Sequence, residues 1–210
     1  MGIADLRTRI KICGITRLED ALACLEAGVD ALGFNFWPGS KRHVTVARAA
    51  EIARAVPPGV LRVGVFVRAR PADVQATVAT VGLNAVQLHG DEEPADYAAA
   101  GVPLWQVLRI QSSLPDAVSA HAAEVLLDAK AEGFGGSGRS FDWSLARGAR
   151  RYGLPFWLAG GLTPANVGEA VRQAAPPGVD VASGVESRPG MKDPALVRGF
   201  VAAVRAAEER

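Results

Sequence analysis

Eight short apolar runs divide the chain at nearly regular intervals. They cover residues 10–13, 31–36, 61–67, 85–89, 104–108, 125–128, 156–159 and 179–182. Most are continuous rather than alternating, the mark of parallel strands buried on both faces. The segments between them carry helical signals. Thr16 with Glu19 reads as a capping box, followed by Leu18, Ala21, Leu22 and Leu25 on one face and by Gly28 as a stop. Pro71 is placed to open a helix facing inward through Val74, Val78 and Val81, with Gly82 closing it. Thr163-Pro164 is expected to cap a helix with Val167, Ala170, Val171 and Ala174 inward. Asp193-Pro194 is expected to cap the last one, with Val197, Phe200, Val201 and Val204 inward. A second helix is expected over about residues 46–56, with shorter or less regular segments at 94–100, at 114–120 and after Asp142.

Eight strand–helix units in roughly 200 residues match a minimal (β/α)8 barrel, an α/β TIM barrel, here one domain over residues 1–210. The competing architecture is an open doubly wound sheet. A dinucleotide-binding version of it carries Gly-x-Gly-x-x-Gly after its first strand, where this chain reads Cys13-Gly14-Ile15-Thr16. No linker or low-complexity segment interrupts the pattern. The longest turn, 129–140, is glycine-rich and reads as an active-site loop.

Composition narrows the function. Of 210 residues, 49% are hydrophobic and 21% charged, and the net charge is +1. Nothing there favours nucleic acid or an anionic membrane. No apolar stretch reaches the roughly 18 residues of a membrane span. The opening residues, Met1 to Leu6, lack a signal peptide's apolar core. Cys13 and Cys24 do not make a disulfide framework and read as thiols of a reducing cytoplasm. The expected partner is a small molecule, with the chain as a monomer or homodimer.

In a barrel the C-terminal strand tips share one face, so residues far apart in sequence become neighbours there. Those tips carry Cys13, the segment from Asn35 to Arg42, Arg68, Gln87 and His89, Arg109, Asp128 and Lys130, Gly160-Gly161 and Ser183-Gly184. The glycine turns after the seventh and eighth runs suit a phosphate, because barrels often bind one there and glycines let backbone N–H groups approach the anion. Gly136 and Gly138, in Gly135-Gly136-Ser137-Gly138, could close over it. One glycine pair would be only a tight turn; two on adjacent tips favour phosphate.

Cys13 is open to two readings. A strand cysteine is commonly a small buried hydrophobe; at a tip, beside Lys11, it could serve as a base, since a thiol titrates near about 8.5. Asp128 follows Val125-Leu126-Leu127. A dry site would raise its pKa and suit it to general-acid work; it could equally pair with Lys130 or Arg109 as structure. Asp180 lies inside an apolar run, either a buried barrel residue or a substrate contact. Arg42, in Ser40-Lys41-Arg42, offers a fork for a carboxylate, although a loop Lys-Arg pair is usually solvated. His43, His89 and His121 lack metal-like spacing with acidic partners, so no metal is expected.

Lys11-Ile12-Cys13-Gly14-Ile15-Thr16 resembles the N-terminal signature of the phosphoribosylanthranilate isomerases of tryptophan biosynthesis. Further blocks resemble the family in the family's order: 32–34 through Ser40-Lys41-Arg42, Arg62 to Val67, Val86 to Gly90, Leu127-Asp128, Gly135 to Gly138 with Phe141-Asp142-Trp143, Ala159 to Leu162, and Asp180 to Glu186 with Pro189-Gly190 and Lys192-Asp193. Two positions depart: Ala182 stands where serine is common, and Asn35 where an apolar residue is. The resemblance implies a cofactor-free Amadori rearrangement in the cytoplasm. It implies Asp128 as general acid, Cys13 as base, Arg42 on the anthranilate carboxylate, and substrate contacts at Gly136, Gly138, Gly160, Gly161, Asp180, Ser183 and Gly184. The related histidine-pathway isomerase carries aspartate at the Cys13 position. Indole-glycerol-phosphate synthase relies on a lysine-rich centre. A regulatory phosphosugar-binding barrel would have no need of a matched acid and base.

Overall fold

The computed structural model describes residues 7–129 and 142–209. Its eight parallel strands are β1 (Arg9–Cys13), β2 (Ala31–Asn35), β3 (Leu61–Phe66), β4 (Ala85–Leu88), β5 (Leu104–Ile110), β6 (Glu124–Ala129), β7 (Phe156–Leu158) and β8 (Gly178–Val181). They pair in chain order, and β8 returns to β1 to close the barrel. The expected barrel is therefore present, and each apolar run marks its strand to within two residues at either end.

Strand alternation sorts those runs into two cores. One set, including Ile10, Ile12, Leu32, Phe34, Val86, Leu88, Leu127 and Val179, packs outward with helix residues such as Ile52, Val74, Ala170 and Phe200. The other set, Ala31, Val63, Ala85, Trp105, Val107, Leu126, Trp157 and Ala159, forms a separate cluster inside the barrel. Apolar side chains on both faces explain why the runs look continuous in sequence. The inward parity is also where Lys11, Cys13, Gln87, Asp128 and Asp180 fall.

At the N-terminal end of the lumen, Arg9 forks onto Glu124 at 3.2 and 2.6 Å. Its guanidinium lies 4.6 Å from the Trp157 ring centroid, and Trp157 stacks on Trp105 at 4.9 Å. The Trp157 indole N–H also donates to Glu124. This end is a plug whose polar groups satisfy one another.

Among the described residues, five α-helices cover the barrel: α1 (Leu18–Glu26), α2 (Val46–Ala53), α3 (Pro71–Val81), α4 (Val167–Ala174) and α5 (Pro194–Glu208). Pro71 and Asp193 act as expected, and Asp193 accepts from Ala195 N and Leu196 N. The capping box at Thr16 does not form. The N-cap of α1 is Arg17, with no side-chain capping bond, and Thr16 Oγ1 instead donates to Gly190 O at 2.6 Å. Helix α4 buries the four residues expected of it, but Asn166 opens it; Asn166 Oδ1 accepts from Thr163 N at 2.7 Å. Helix α2 stops three residues short of 56. Residues 94–100 and 143–152 are 3-10 helices. Residues 114–120 form no helix, because the Leu114 and Pro115 carbonyls accept from Arg151 and Tyr152 side chains. A two-stranded hairpin, β9 (Glu186–Arg188) with β10 (Met191–Lys192), follows β8 and has no counterpart in the sequence-based expectation.

Candidate active site

The C-terminal strand tips enclose an open cleft. Cys13, Arg42, Gln87, His89, Asp128, Gly160, Gly161, Asp180 and Ser183 all line it. Gly184, next to Ser183, packs behind the rim. Gly136, Gly138 and Lys130 lie outside the described residues. The structure thus brings together the Cys13 thiol and the Asp128 carboxyl on one face, from strands more than a hundred residues apart.

Asp128 is buried at the tip of β6, paired in register with Arg109 of β5. Its close partner is neither Arg109 nor a described lysine but His89, whose Nε2 stands 3.4 Å from Asp128 Oδ2. The Gln87 amide nitrogen lies 3.0 Å from His89 Nδ1. With that amide donating to Nδ1, the ring proton sits on Nε2 and faces the carboxyl. Among the described residues, Gln87 Oε1 and His89 Nε2 are both buried without a hydrogen-bond partner, the 3.4 Å approach of Nε2 to Asp128 falling short of one. Such groups are uncommon in a folded protein and mark a place where structure yields to chemistry.

The thiol sits among charges. Lys11 is fully buried, two residues back on the same strand face, and its Nζ donates to Asp180 Oδ1 at 2.9 Å. Asp180 is therefore an ion-pair partner as well as a cleft residue. Arg42 gives Nε and Nη2 to Glu186 at 2.8 and 2.7 Å. Lys192 Nζ adds a bond to Glu186 Oε1 at 2.9 Å and one to Ala182 O at 3.1 Å. Burial pushes the Cys13 thiol up, and Lys11 only partly pulls it back. Burial draws Lys11 down, but Asp180 and then Cys13 outweigh it, and its net shift is upward. Lys192 is lowered, chiefly by burial. The Glu186 carboxyl resists the upward push of burial and lies below its ordinary value because Arg42 and Lys192 hold it.

The turns after β7 and β8 approach one another closely. Gly160 adopts φ 84°, and a Cβ there would stand 2.6 Å from Ala129 N and 2.9 Å from Asp128 Oδ1. A Cβ on Gly184 would fall 1.9 Å from Leu162 O, so no side chain fits between these turns. Among the described residues, no three His, Cys, Asp or Glu side chains are grouped to hold a metal ion, and no helix is long and apolar enough to cross a membrane.

Sequence reasoning passed over Glu186 and Lys192 as actors, treated Lys11 only as a neighbour of Cys13, and weighed His89 only as a metal ligand. Their roles rest on pairings across the barrel. The signal available was a charge between apolar neighbours, as at Lys11 between Ile10 and Ile12.

The family model described as N-(5'-phosphoribosyl)anthranilate isomerase matches residues 10–203. The N-(5'-phosphoribosyl)anthranilate isomerase of Myxococcus xanthus is 50% identical over 207 residues, 95% of this chain and 97% of that one. The crystal structure of the Thermus thermophilus phosphoribosyl anthranilate isomerase superposes with a TM-score of 0.86 at 36% identity, covering 95% of this chain and 99% of that one. A phosphoribosyl anthranilate isomerase in complex with reduced 1-(o-carboxyphenylamino)-1-deoxyribulose 5-phosphate superposes at 0.81, also 36% identical, with the same coverage.

Proposed function

The chain belongs to the N-(5'-phosphoribosyl)anthranilate isomerase family, and from that premise we propose how its cleft performs the reaction. The enzyme catalyses the Amadori rearrangement of N-(5-phospho-β-D-ribosyl)anthranilate to 1-(2-carboxyphenylamino)-1-deoxyribulose 5-phosphate, a step of tryptophan biosynthesis. The observation that carries the assignment of roles is the thiol of Cys13 and the carboxyl of Asp128 on one cleft.

Asp128, as general acid, donates a proton to the furanose ring oxygen as the C1–O bond breaks. The anilino nitrogen's lone pair completes an iminium at C1. Cys13, as thiolate, takes the proton from C2, and the C–H electron pair becomes the C1=C2 bond while the iminium pair returns to nitrogen. Protonation of this enolamine at C1 and loss of the O2 proton give the ketone. No atom is gained or lost, and the imine supplies the electron sink, so the roles need no cofactor.

Glu186 occupies the Nε/Nη2 edge of Arg42. The Nη1/Nη2 end is the edge we assign to the anthranilate carboxylate, a fit that a guanidinium makes with two parallel bonds. The turns at Gly160-Gly161 and Ser183-Gly184 are the phosphate cradle, with Gly136 and Gly138 as further contacts. Asp180 is assigned a ribose hydroxyl, through the oxygen that Lys11 does not occupy. The proposed setting is the cytoplasm. The proposed assembly is a monomer or homodimer, and every group named comes from one chain, so the chemistry asks nothing of a partner subunit.

The test is turnover followed by loss of the substrate's anthranilate fluorescence. The wild type is expected to isomerise it without added metal or cofactor. Cys13→Ser is expected to lose most turnover yet still bind a reduced product analogue, because a hydroxyl is a far weaker base near neutral pH. Near-normal turnover in the serine variant would remove Cys13 from the mechanism.

A further inference from the structure

The role given to Cys13 carries a difficulty. A base must be a thiolate, and burial at the barrel tip opposes that form. The ionised form therefore needs a counter-charge held in place before substrate arrives.

The groups facing the thiol come from four elements. Lys11 comes from its own strand, Asp180 from β8, Arg42 from the loop after β2, and Lys192 from β10. Glu186 lies behind the last two, bonded to both. Three cations thus stand against two carboxylates, and the cluster keeps one positive charge in excess while Cys13 is a thiol. A thiolate neutralises it. Lys192 and Arg42 are held by Glu186, whereas Lys11 lies beside Cys13 on the same strand face and is the first of the cations to favour its thiolate.

The backbone makes room for that contact. Gly33, the register partner of Cys13 on β2, has no side chain. A Cβ there would stand 2.9 Å from Cys13 Sγ and 3.2 Å from Lys11 Cε. The thiol and the end of the lysine thus share the space that Gly33 vacates. Asp180 holds the ammonium from the other side at 2.9 Å, and Lys11 has no exposure to solvent.

We propose that Lys11 is the positioning residue that stabilises the thiolate form of Cys13 against its burial, with Asp180 setting how much of the lysine's charge the sulfur receives. Lys11 touches no reacting atom. Its ammonium, bonded to Asp180 while Cys13 is a thiol, pairs with S⁻ when the thiol ionises. When the thiolate takes the C2 proton, the ammonium is left to Asp180, and the pair reforms once that proton leaves the thiol as the enolamine is protonated at C1. Asp180 and Cys13 thus compete for one buried cation. This inference rests on the reading of Cys13 as base, and its test is made without substrate so that the two can fail separately.

The experiment measures the rate of Cys13 alkylation by iodoacetamide against pH, in a Cys24→Ala background. Cys24 is buried, with its thiol pushed up to about 12, and is a poor competitor even before replacement. Lys11→Met is expected to raise the Cys13 midpoint by about one unit or more, so that alkylation at neutral pH slows about tenfold. Asp180→Asn is expected to lower the midpoint, because it frees the ammonium for sulfur. Opposite shifts are a signature that a merely structural ion pair would not produce. A midpoint unmoved by Lys11→Met, or raised by Asp180→Asn, overturns the proposal. Should Lys11→Met fail to fold, the near-isosteric Asp180→Asn decides alone. Should both shifts appear while Cys13→Ser keeps its turnover, the ion pair stands and the base assignment falls.

Discussion

The two ends of the barrel lumen are built from the same strand alternation and put to opposite uses. At the N-terminal end, Arg9, Glu124, Trp105 and Trp157 bond and stack on one another. At the C-terminal end, Gln87 Oε1 and His89 Nε2 are buried with no hydrogen-bond partner among the described residues, and Asp180 and Cys13 compete for the ammonium of Lys11. A satisfied polar cluster stabilises the fold; an incompletely satisfied one keeps capacity for a ligand. Polarity inside a barrel is therefore uninformative until its partners are counted.

The largest effect that would sharpen this contrast is at Asp128. Asparagine keeps its shape but cannot deliver a proton. We expect kcat to fall about 10²–10⁴-fold, the usual worth of a positioned acid, with product-analogue binding and thermal midpoint nearly unchanged. An Asp128→Asn enzyme that folds normally and keeps most of its kcat would end the general-acid assignment, leaving Asp180 as the next candidate.

Trp157→Ala probes the other end. It removes a fully buried indole and its stacking partner's support, and should cost about 3–5 kcal/mol of unfolding free energy by denaturant titration. Kinetic constants per folded molecule should stay near wild type. If kcat fell here as steeply as in Asp128→Asn at equal folded fraction, the division between the two ends would be wrong.

Arg42→Ala should act chiefly on KM. A charge-assisted contact made equally to substrate and transition state raises KM without lowering kcat, here by roughly 10–100-fold for a bond of about 1.5–3 kcal/mol. A large drop in kcat at constant KM would contradict that assignment.

The smallest effect is in acid. Glu186 titrates below its ordinary value when folded, burial being outweighed by Arg42 and Lys192. A depressed carboxylate contributes stability above its unfolded value of about 4.3, and that contribution is lost as pH falls through the folded value. Thermal midpoints measured from pH 6 downward should therefore fall more steeply in the wild type than in Glu186→Gln. Parallel curves would mean that Glu186 stores no such energy.

The strands were legible because each carries apolar side chains toward both cores, which a linear scan detects without knowing which face is which. Helices α3 and α5 were legible through local chemistry, a proline start and an aspartate cap. Thr16 misled because its hydroxyl serves Gly190, far along the chain. The β9–β10 hairpin escaped because Glu186-Ser187-Arg188 is short and polar and has no periodicity to read. Cys13 and Asp128 could be singled out as tip residues. The pairings Lys11–Asp180, Arg42–Glu186 and His89–Asp128 could not, since each is created by barrel closure and leaves no mark in local sequence.

The pair of Lys11 with Asp180 also sets a clock. The two residues are separated by 169 positions, and a ribosome adds about 5–20 residues each second. For roughly 8 to 35 seconds of synthesis, then, the lysine and the thiol beside it exist on a nascent chain whose eighth strand has not yet been made. Throughout that interval the thiol lacks the enclosure that burial in the closed barrel provides.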